Sequence, residues 1–165
     1  LLEETIAPYD LGEPLVKEIV RQGGLDALLA AFADPPTTSL QVLDAASYAN
    51  RTARVEVPRP PADGEVKDEG VFGALETAFL VEGAVPTRTA LQLARGWRGD
   101  WYVTYTKPDG STCTRIDWVM DSAASGDRLD SALQQWRSSL PSGVTAKVDQ
   151  TAPTDVRLTS CAKGA

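Results

Sequence analysis

The chain has 165 residues, 42% of them hydrophobic and 24% charged, so it can form one hydrophobic core or two small subdomains that share an interface. Its net charge of −7 disfavours binding to nucleic acids and to anionic membranes, because both are negatively charged. No apolar run is long enough to span a bilayer, and the absence of histidine excludes Ser-His-Asp, Cys-His and histidine-ligated zinc sites made by this chain alone.

Three helices are predicted at the start of the chain. Residues 11–22 place apolar side chains on one face at helical spacing, and Gly23-Gly24 ends this helix. A second helix ends at Pro35-Pro36, and a short third helix reaches Tyr48. The apolar residues of the first two helices are Leu11, Leu15, Val16, Ile19, Val20, Leu25, Leu28, Leu29 and Phe32.

The boundary between two halves is predicted after these helices. Residues 53–57 alternate apolar and charged side chains, as a short strand does, and a Pro-rich, exposed loop follows. We therefore expect a helical subdomain over 1–57, a linker over 58–70 and an α+β subdomain over 71–165.

The second half begins with two predicted helices, over 71–82 and 86–95. Residues 101–106 and 111–120 are rich in aromatic and β-branched side chains, and a Lys-Pro-Asp-Gly turn between them predicts a β-hairpin. The helical period returns after Asp121 and continues to Leu140.

Two more strands, over 144–149 and 155–161, complete the predicted order β-β-α-β-β. This order predicts a four-stranded antiparallel sheet with the helix on one face. The predicted fold class is therefore α+β, with a helical N-terminal half.

The two cysteines allow two interpretations. Cys113 and Cys161 are either buried thiols of a cytosolic protein or a disulfide in an exported one. We favour the disulfide, because it would pin a last strand that otherwise frays. The chain starts at Leu1 without an initiator Met or signal peptide, so we expect an upstream segment that carries an export signal or lipid anchor.

Aromatic residues concentrate around the predicted hairpin and form a candidate surface for stacking against a peptide or glycan. The alternative is that these rings pack between the two halves. The candidate binding residues are Trp97, Trp101, Tyr102, Tyr105 and Trp118.

The charged motifs near the hairpin are interpreted as structural features and not as binding or metal sites. Arg98-Gly99-Asp100 is interpreted as a charged turn that leads into a strand. Asp117, Asp121, Asp127 and Asp130 lack the spacing of a calcium-binding loop, and those near the helix start complement its dipole. We predict no catalytic, cofactor-binding or metal-binding residue in this chain.

Several segments resemble secreted bacterial proteins of zinc-metallopeptidase-like architecture, over roughly residues 7–140. In that family an HExxH zinc helix lies upstream of the corresponding segment, and polar family positions fall at Leu40, Asp44 and Ala45 here. The resemblance therefore implies a non-catalytic C-terminal portion of such a protein. The matching segments are 7–12, 21–24, 33–43, Tyr48, 96–102 and 116–136.

The sequence thus predicts a non-enzymatic binding or scaffolding domain of an exported bacterial protein. Its expected partner is an upstream domain of the same protein or another exported protein, met through a groove between the two halves. One alternative is an accessory region of a zinc-dependent peptidase whose metal site lies upstream. Another is an extracellular peptide- or glycan-binding module that uses the hairpin aromatics.

Overall fold

The computed structural model describes the backbone of residues 7–163 and the side chains of residues 9–163. This part of the chain has an α+β architecture, as predicted, with helices covering one face of an antiparallel sheet. The helices are α1 (Ala7–Ala33), α2 (Ser39–Leu43), α3 (Ala45–Ala49), α4 (Ala74–Glu82), α5 (Thr87–Ala94) and α6 (Ala123–Ser138). The strands are β1 (Glu65–Gly70), β2 (Trp97–Thr106), β3 (Thr112–Met120), β4 (Val144–Ala152) and β5 (Asp155–Ala162).

The sheet has the strand order β1-β2-β3-β5-β4, and all of its pairs are antiparallel. The predicted hairpin is confirmed as β2 and β3, and the last two predicted strands as β4 and β5. Helix α6 connects β3 to β4 and packs on the sheet. The strand β3 is therefore the central strand, and it joins the hairpin of β2 and β3 to the hairpin of β4 and β5.

A fifth strand, β1, lies inside the segment predicted as a linker, so that prediction was wrong for residues 65–70. The sequence of β1 is Glu-Val-Lys-Asp-Glu-Gly, and it lacks the alternation of apolar and polar residues that marks a half-buried strand. It forms because β2 offers a partner edge, on which Gly70 lies opposite Tyr102.

The prediction of a strand at residues 53–57 was also wrong. These residues are extended but belong to no strand, and one backbone hydrogen bond joins Val55 N–H to the Arg98 carbonyl at 2.7 Å. They begin a segment, residues 53–64, that crosses the sheet face opposite the helices; we call this segment the strap. Arg115 on β3 holds it by donating to the Pro61 carbonyl and the Asp63 carboxylate.

One hydrophobic core lies between the helices and the sheet. It is continuous from Leu40 and Leu43 on α2 to Trp97 and Trp118 on the sheet. Residues before and after the strap therefore contribute to the same core. A smaller cluster on the opposite face contains Val103, Tyr105 and Cys113, with Ala62 of the strap and Cys161 packed against it.

The predicted disulfide is confirmed. Cys113 on β3 lies directly opposite Cys161 on β5, and their sulfur atoms are bonded. Such bridges are typical of proteins in oxidising compartments. Over residues 7–163, every helix is too short or too polar to cross a membrane.

Candidate binding surface

Two glycines divide α1 into two arms. Gly23 and Gly24 have non-helical backbone angles, and Gly24 has a φ of 65°, which a residue with a side chain rarely adopts. The first arm, residues 7–22, and the second arm, residues 25–33, are therefore separate helices that meet at an angle. The predicted end of the first helix at Gly23-Gly24 is confirmed.

An apolar groove lies between the two arms and has a volume of about 230 Å³. Side chains of both arms contribute to it, together with the two prolines that follow the second arm. All of its lining residues are apolar, and we call this surface the apolar groove. They are Leu15, Val16, Ile19, Leu28, Ala31, Phe32, Pro35 and Pro36.

Large apolar side chains around the apolar groove are exposed to solvent. Phe32 is 78% exposed, Leu25 67% and Leu29 58%. On the first arm, Val16 and Val20 are also exposed. Single exposed apolar residues are ordinary on protein surfaces, but a contiguous group marks a surface on which another molecule packs.

The second arm is held in this orientation by the segment that follows it. The Tyr48 hydroxyl donates to the carbonyl of Asp34 at 2.9 Å, and Arg51 donates to the same carbonyl at 3.1 Å. The Arg51 guanidinium also lies 4.3 Å above the Tyr48 ring and pairs with the Asp34 carboxylate. These contacts fix the end of the second arm and leave Phe32 outside the protein core.

The charges of α1 are mainly acidic. It has four acidic residues, Asp10, Glu13, Glu18 and Asp26, and two basic ones, Lys17 and Arg21. Lys17 pairs with Glu13, and Arg21 pairs with Glu18. The helix α1 therefore has two more acidic than basic residues.

The predicted aromatic binding surface requires correction. Trp97, Tyr105 and Trp118 are fully buried, since Trp97 and Trp118 face the helices and Tyr105 lies beneath the strap. Trp101 and Tyr102 are half-buried and point to opposite faces of β2. The five rings therefore form no common exposed platform.

A buried polar network explains why Trp97 faces inward. The Asp100 carboxylate accepts hydrogen bonds from Trp97 Nε1 at 2.6 Å and from the backbone N–H groups of Phe72 and Gly73 at 2.6 and 2.7 Å. Burial raises the pKa of Asp100 above its ordinary value, although these three donors and Arg54 act in the opposite direction. The Arg-Gly-Asp tripeptide lies within β2, so its prediction as a turn before the strand was wrong, and its Gly99 and Asp100 are buried.

The predicted acidic cluster is spread over separate contacts. Asp117 makes a bidentate ion pair with Arg157 at 2.6 Å, and Asp127 accepts a hydrogen bond from Gln150 at 3.0 Å. Asp121 lies 3.6 Å from Arg98. Among the described residues, no group of three or more Cys, Asp or Glu side chains is arranged to hold a metal ion.

A cleft of about 330 Å³ with polar and apolar lining residues lies where we expected a groove between the two halves. Thr38, Ser39 and Arg54 line it from one side, and Gly73 and Glu76 from the other. Ser39 Oγ accepts from Leu75 N–H and Arg54 pairs with Glu56, but Arg54 Nη1 is buried and has no hydrogen-bond partner among the described residues. Val71 also lines this cleft and is 39% exposed, whereas Phe32 in the apolar groove is 78% exposed.

Comparisons of the chain with models of known protein families, with curated proteins and with solved structures give no match.

The composition of the second arm is a sequence signal for the apolar groove. The second arm reads Leu-Asp-Ala-Leu-Leu-Ala-Ala-Phe-Ala and has apolar residues around its whole circumference. A helix of this kind has more apolar surface than one buried face requires. The excess predicts a second apolar contact in addition to the one with the core.

Proposed function

We propose that this chain is a non-enzymatic binding or scaffolding domain of an exported protein, and that its apolar groove holds an amphipathic helix of another exported protein. The exposure of Phe32 and its neighbours is the observation that supports this most strongly. Burial of apolar surface contributes about 25 cal/mol per Å², so a helix that covers these side chains gains substantial binding free energy.

The partner is expected to be helical and basic at its margins. A groove between two helices accepts the apolar face of a third, which inserts large side chains at positions i, i+3 or i+4 and i+7. The volume of about 230 Å³ suits one or two such side chains. Lys or Arg residues beside that face would pair with the acidic excess of α1.

The disulfide supports the assignment to an extracytoplasmic compartment. A bridge between two buried or half-buried cysteines of adjacent strands is stable where thiols are oxidised and is rare in the cytosol. In this proposal the chain supplies binding and not catalysis. Peptidase activity of the purified chain that is abolished by a chelator would contradict it.

Peptide binding tests the proposal directly. The probe is a fluorescent amphipathic helical peptide with Leu on one face and Lys beside it, and the readout is fluorescence anisotropy. We expect the double variant Leu29→Asp/Phe32→Asp to weaken binding by at least about tenfold, since it places two charges in the contact. A peptide with Glu in place of Lys should bind less tightly than the Lys peptide.

The matched control is Val55→Asp, which places a charge at an exposed apolar residue of the strap, away from the apolar groove. It should bind the Lys peptide as the wild type does. Equal binding by the wild type and by the Leu29→Asp/Phe32→Asp variant would contradict the proposed surface. Circular dichroism should show that both variants are folded.

A further inference from the structure

The two edge strands of the sheet, β1 and β4, differ in how well they are protected against pairing with a strand of another chain. The edge strand β1 has six residues, four of them charged, and its register with β2 shifts between Val66 and Asp68. Short length, charge and bulges are the devices that prevent another chain from pairing with an edge. Arg59 of the strap also pairs with Glu69 on β1. The β1 edge is therefore protected.

The opposite edge, β4, has less of this protection, since it carries two charged residues and its register shift lies at its end, between Gln150 and Ala152. It has nine residues, and its register with β5 is regular from Val144 to Gln150. Among residues 7–163, no backbone hydrogen bond joins residues 145–150 to any segment other than β5. The outer N–H and C=O groups of β4 are therefore available to a further strand.

The charge of β4 also favours contact between two copies. The chain has a net charge of −7, but β4 contains one basic residue, Lys147, and one acidic residue, Asp149. The strand itself is neutral, so two copies can approach along it without strong local repulsion.

The positions of Lys147 and Asp149 suit two copies of β4 that pair about a two-fold axis. Lys147 and Asp149 lie two residues apart and face away from the helices, whereas Val148 between them faces the core. In an antiparallel pair centred on Val148, residue 147 of one copy lies opposite residue 149 of the other. Each Lys147 therefore meets an Asp149 of the second copy, and this contact occurs twice.

We propose that β4 is an interface between two copies of this chain, which join about a two-fold axis at Val148 into one ten-stranded antiparallel sheet. Ala146 then lies opposite Gln150 on the helix side of the sheet. Opposite charges that face each other across strands stabilise such pairing, and like charges destabilise it. This interface uses none of the residues of the apolar groove and goes beyond the proposed function.

Charge exchange tests this register. Lys147→Asp leaves two acidic residues on β4, and Asp149→Lys leaves two basic ones, so either variant places like charges opposite each other twice. We expect each single variant to weaken self-association by about tenfold in sedimentation velocity experiments over a range of concentrations. The double variant Lys147→Asp/Asp149→Lys restores opposite pairs and should associate as the wild type does.

Mixing the two single variants gives a second readout. The acidic and the basic strand are complementary, so the mixture should form heterodimers in native mass spectrometry, in preference to either homodimer. Within one chain, Lys147 contacts Asp149 at 2.7 Å, and this largely exposed pair contributes little to folding. The half-buried Asp149 also lies opposite Arg157, whose ion-pair partner is Asp117. Thermal unfolding should therefore show that all three variants are folded.

Two results with the wild type and the charge variants would overturn the proposal, and a third result concerns α1. One is a wild-type chain that stays monomeric throughout the concentration range. The other is a dimer that none of the charge variants weakens. The variant Leu29→Asp/Phe32→Asp should keep the dimer intact, whereas loss of the dimer in that variant would place the contact on α1 and contradict the β4 register. These readouts are independent of peptide binding to the apolar groove.

Discussion

The carboxylate of Asp100 accepts the indole N–H of Trp97 at 2.6 Å, and both side chains are fully buried. The same carboxylate holds the two backbone N–H groups that precede α4. One acidic side chain therefore connects the start of β2 with the loop from β1 to α4. The stability of this connection is the basis of the first prediction.

We expect Asp100→Ala to lower the free energy of unfolding by roughly 3 kcal/mol, because it leaves three donors without their acceptor. Asp100→Asn keeps one acceptor oxygen, and the expected loss is about 1.5 kcal/mol. Urea unfolding measures both values. The exposed Asp26→Ala is the control and should change the stability by less than about 0.5 kcal/mol. A loss for Asp100→Ala no larger than that of the control would contradict the role of the carboxylate.

The disulfide should contribute strongly to stability. Cys113 and Cys161 are 48 residues apart, and closing a loop of that length stabilises the fold by about 4 kcal/mol on the chain-entropy model. Adding a reductant should therefore lower the melting temperature of the wild type. The double variant Cys113→Ala/Cys161→Ala should melt at the lower temperature with or without reductant. Two free thiols in the unreduced, unfolded protein would disprove the bridge.

The stability contributed by the ion pair between Arg115 and Asp63, which holds the strap, should depend on pH. Hydrogen bonding to Arg115 and its positive charge hold the pKa of Asp63 below its ordinary value. A lowered pKa in the folded state means that the carboxylate adds stability above the unfolded pKa and that this contribution is lost as the pH falls through the folded pKa. We therefore expect wild type and Asp63→Asn to differ in stability near pH 6 and to converge below about pH 4.

Unfolding experiments at a series of pH values measure this convergence. The control is Arg115→Ala, which removes the partner of Asp63, and in that background Asp63→Asn should have little effect at any pH. A stability difference between wild type and Asp63→Asn that stays constant down to pH 2 would show that the ion pair has no such role.

Gly99 should tolerate no larger side chain. A Cβ atom at this position would lie 2.2 Å from the Val55 carbonyl oxygen of the strap. We expect Gly99→Ala to destabilise the fold by about 3 kcal/mol, since either the strap or β2 must move. The matched control is Gly12→Ala within α1, where a Cβ would meet no atom within 4 Å, and it should raise stability by up to about 1 kcal/mol. Chemical denaturation compares the two, and an unchanged stability for Gly99→Ala would argue against this packing of the strap.

The elements predicted correctly are those with a local signal. The hairpin of β2 and β3 has β-branched and aromatic residues on both sides of a Pro-Asp-Gly turn, and α6 has a regular apolar stripe. The disulfide followed from the positions of its two cysteines on predicted strands. In each case the residues that determine the structure are close together in the sequence or in a simple sheet.

The elements missed depend on distant partners. Strand β1 carries four charged residues and forms through pairing with β2, whereas residues 53–57 have the alternation of a strand but cross the sheet as part of the strap. The exposure of the hairpin rings could not be read from their spacing, because the strap covers Tyr105 and the helices cover Trp118. The apolar groove depends on the angle between the two arms, and the spacing of apolar residues along each arm does not determine that angle.

The covalent bridge also determines how the sheet would respond to mechanical force. Tension applied to the backbone at Lys163 reaches Cys161 almost immediately and passes through sulfur into β3, the central strand. The hairpin of β4 and β5 is then shielded from being unzipped from that end, because the load bypasses most of its hydrogen bonds. Reduction of the bridge would transfer the load to β5, and this strand could then separate from its neighbours one hydrogen bond at a time.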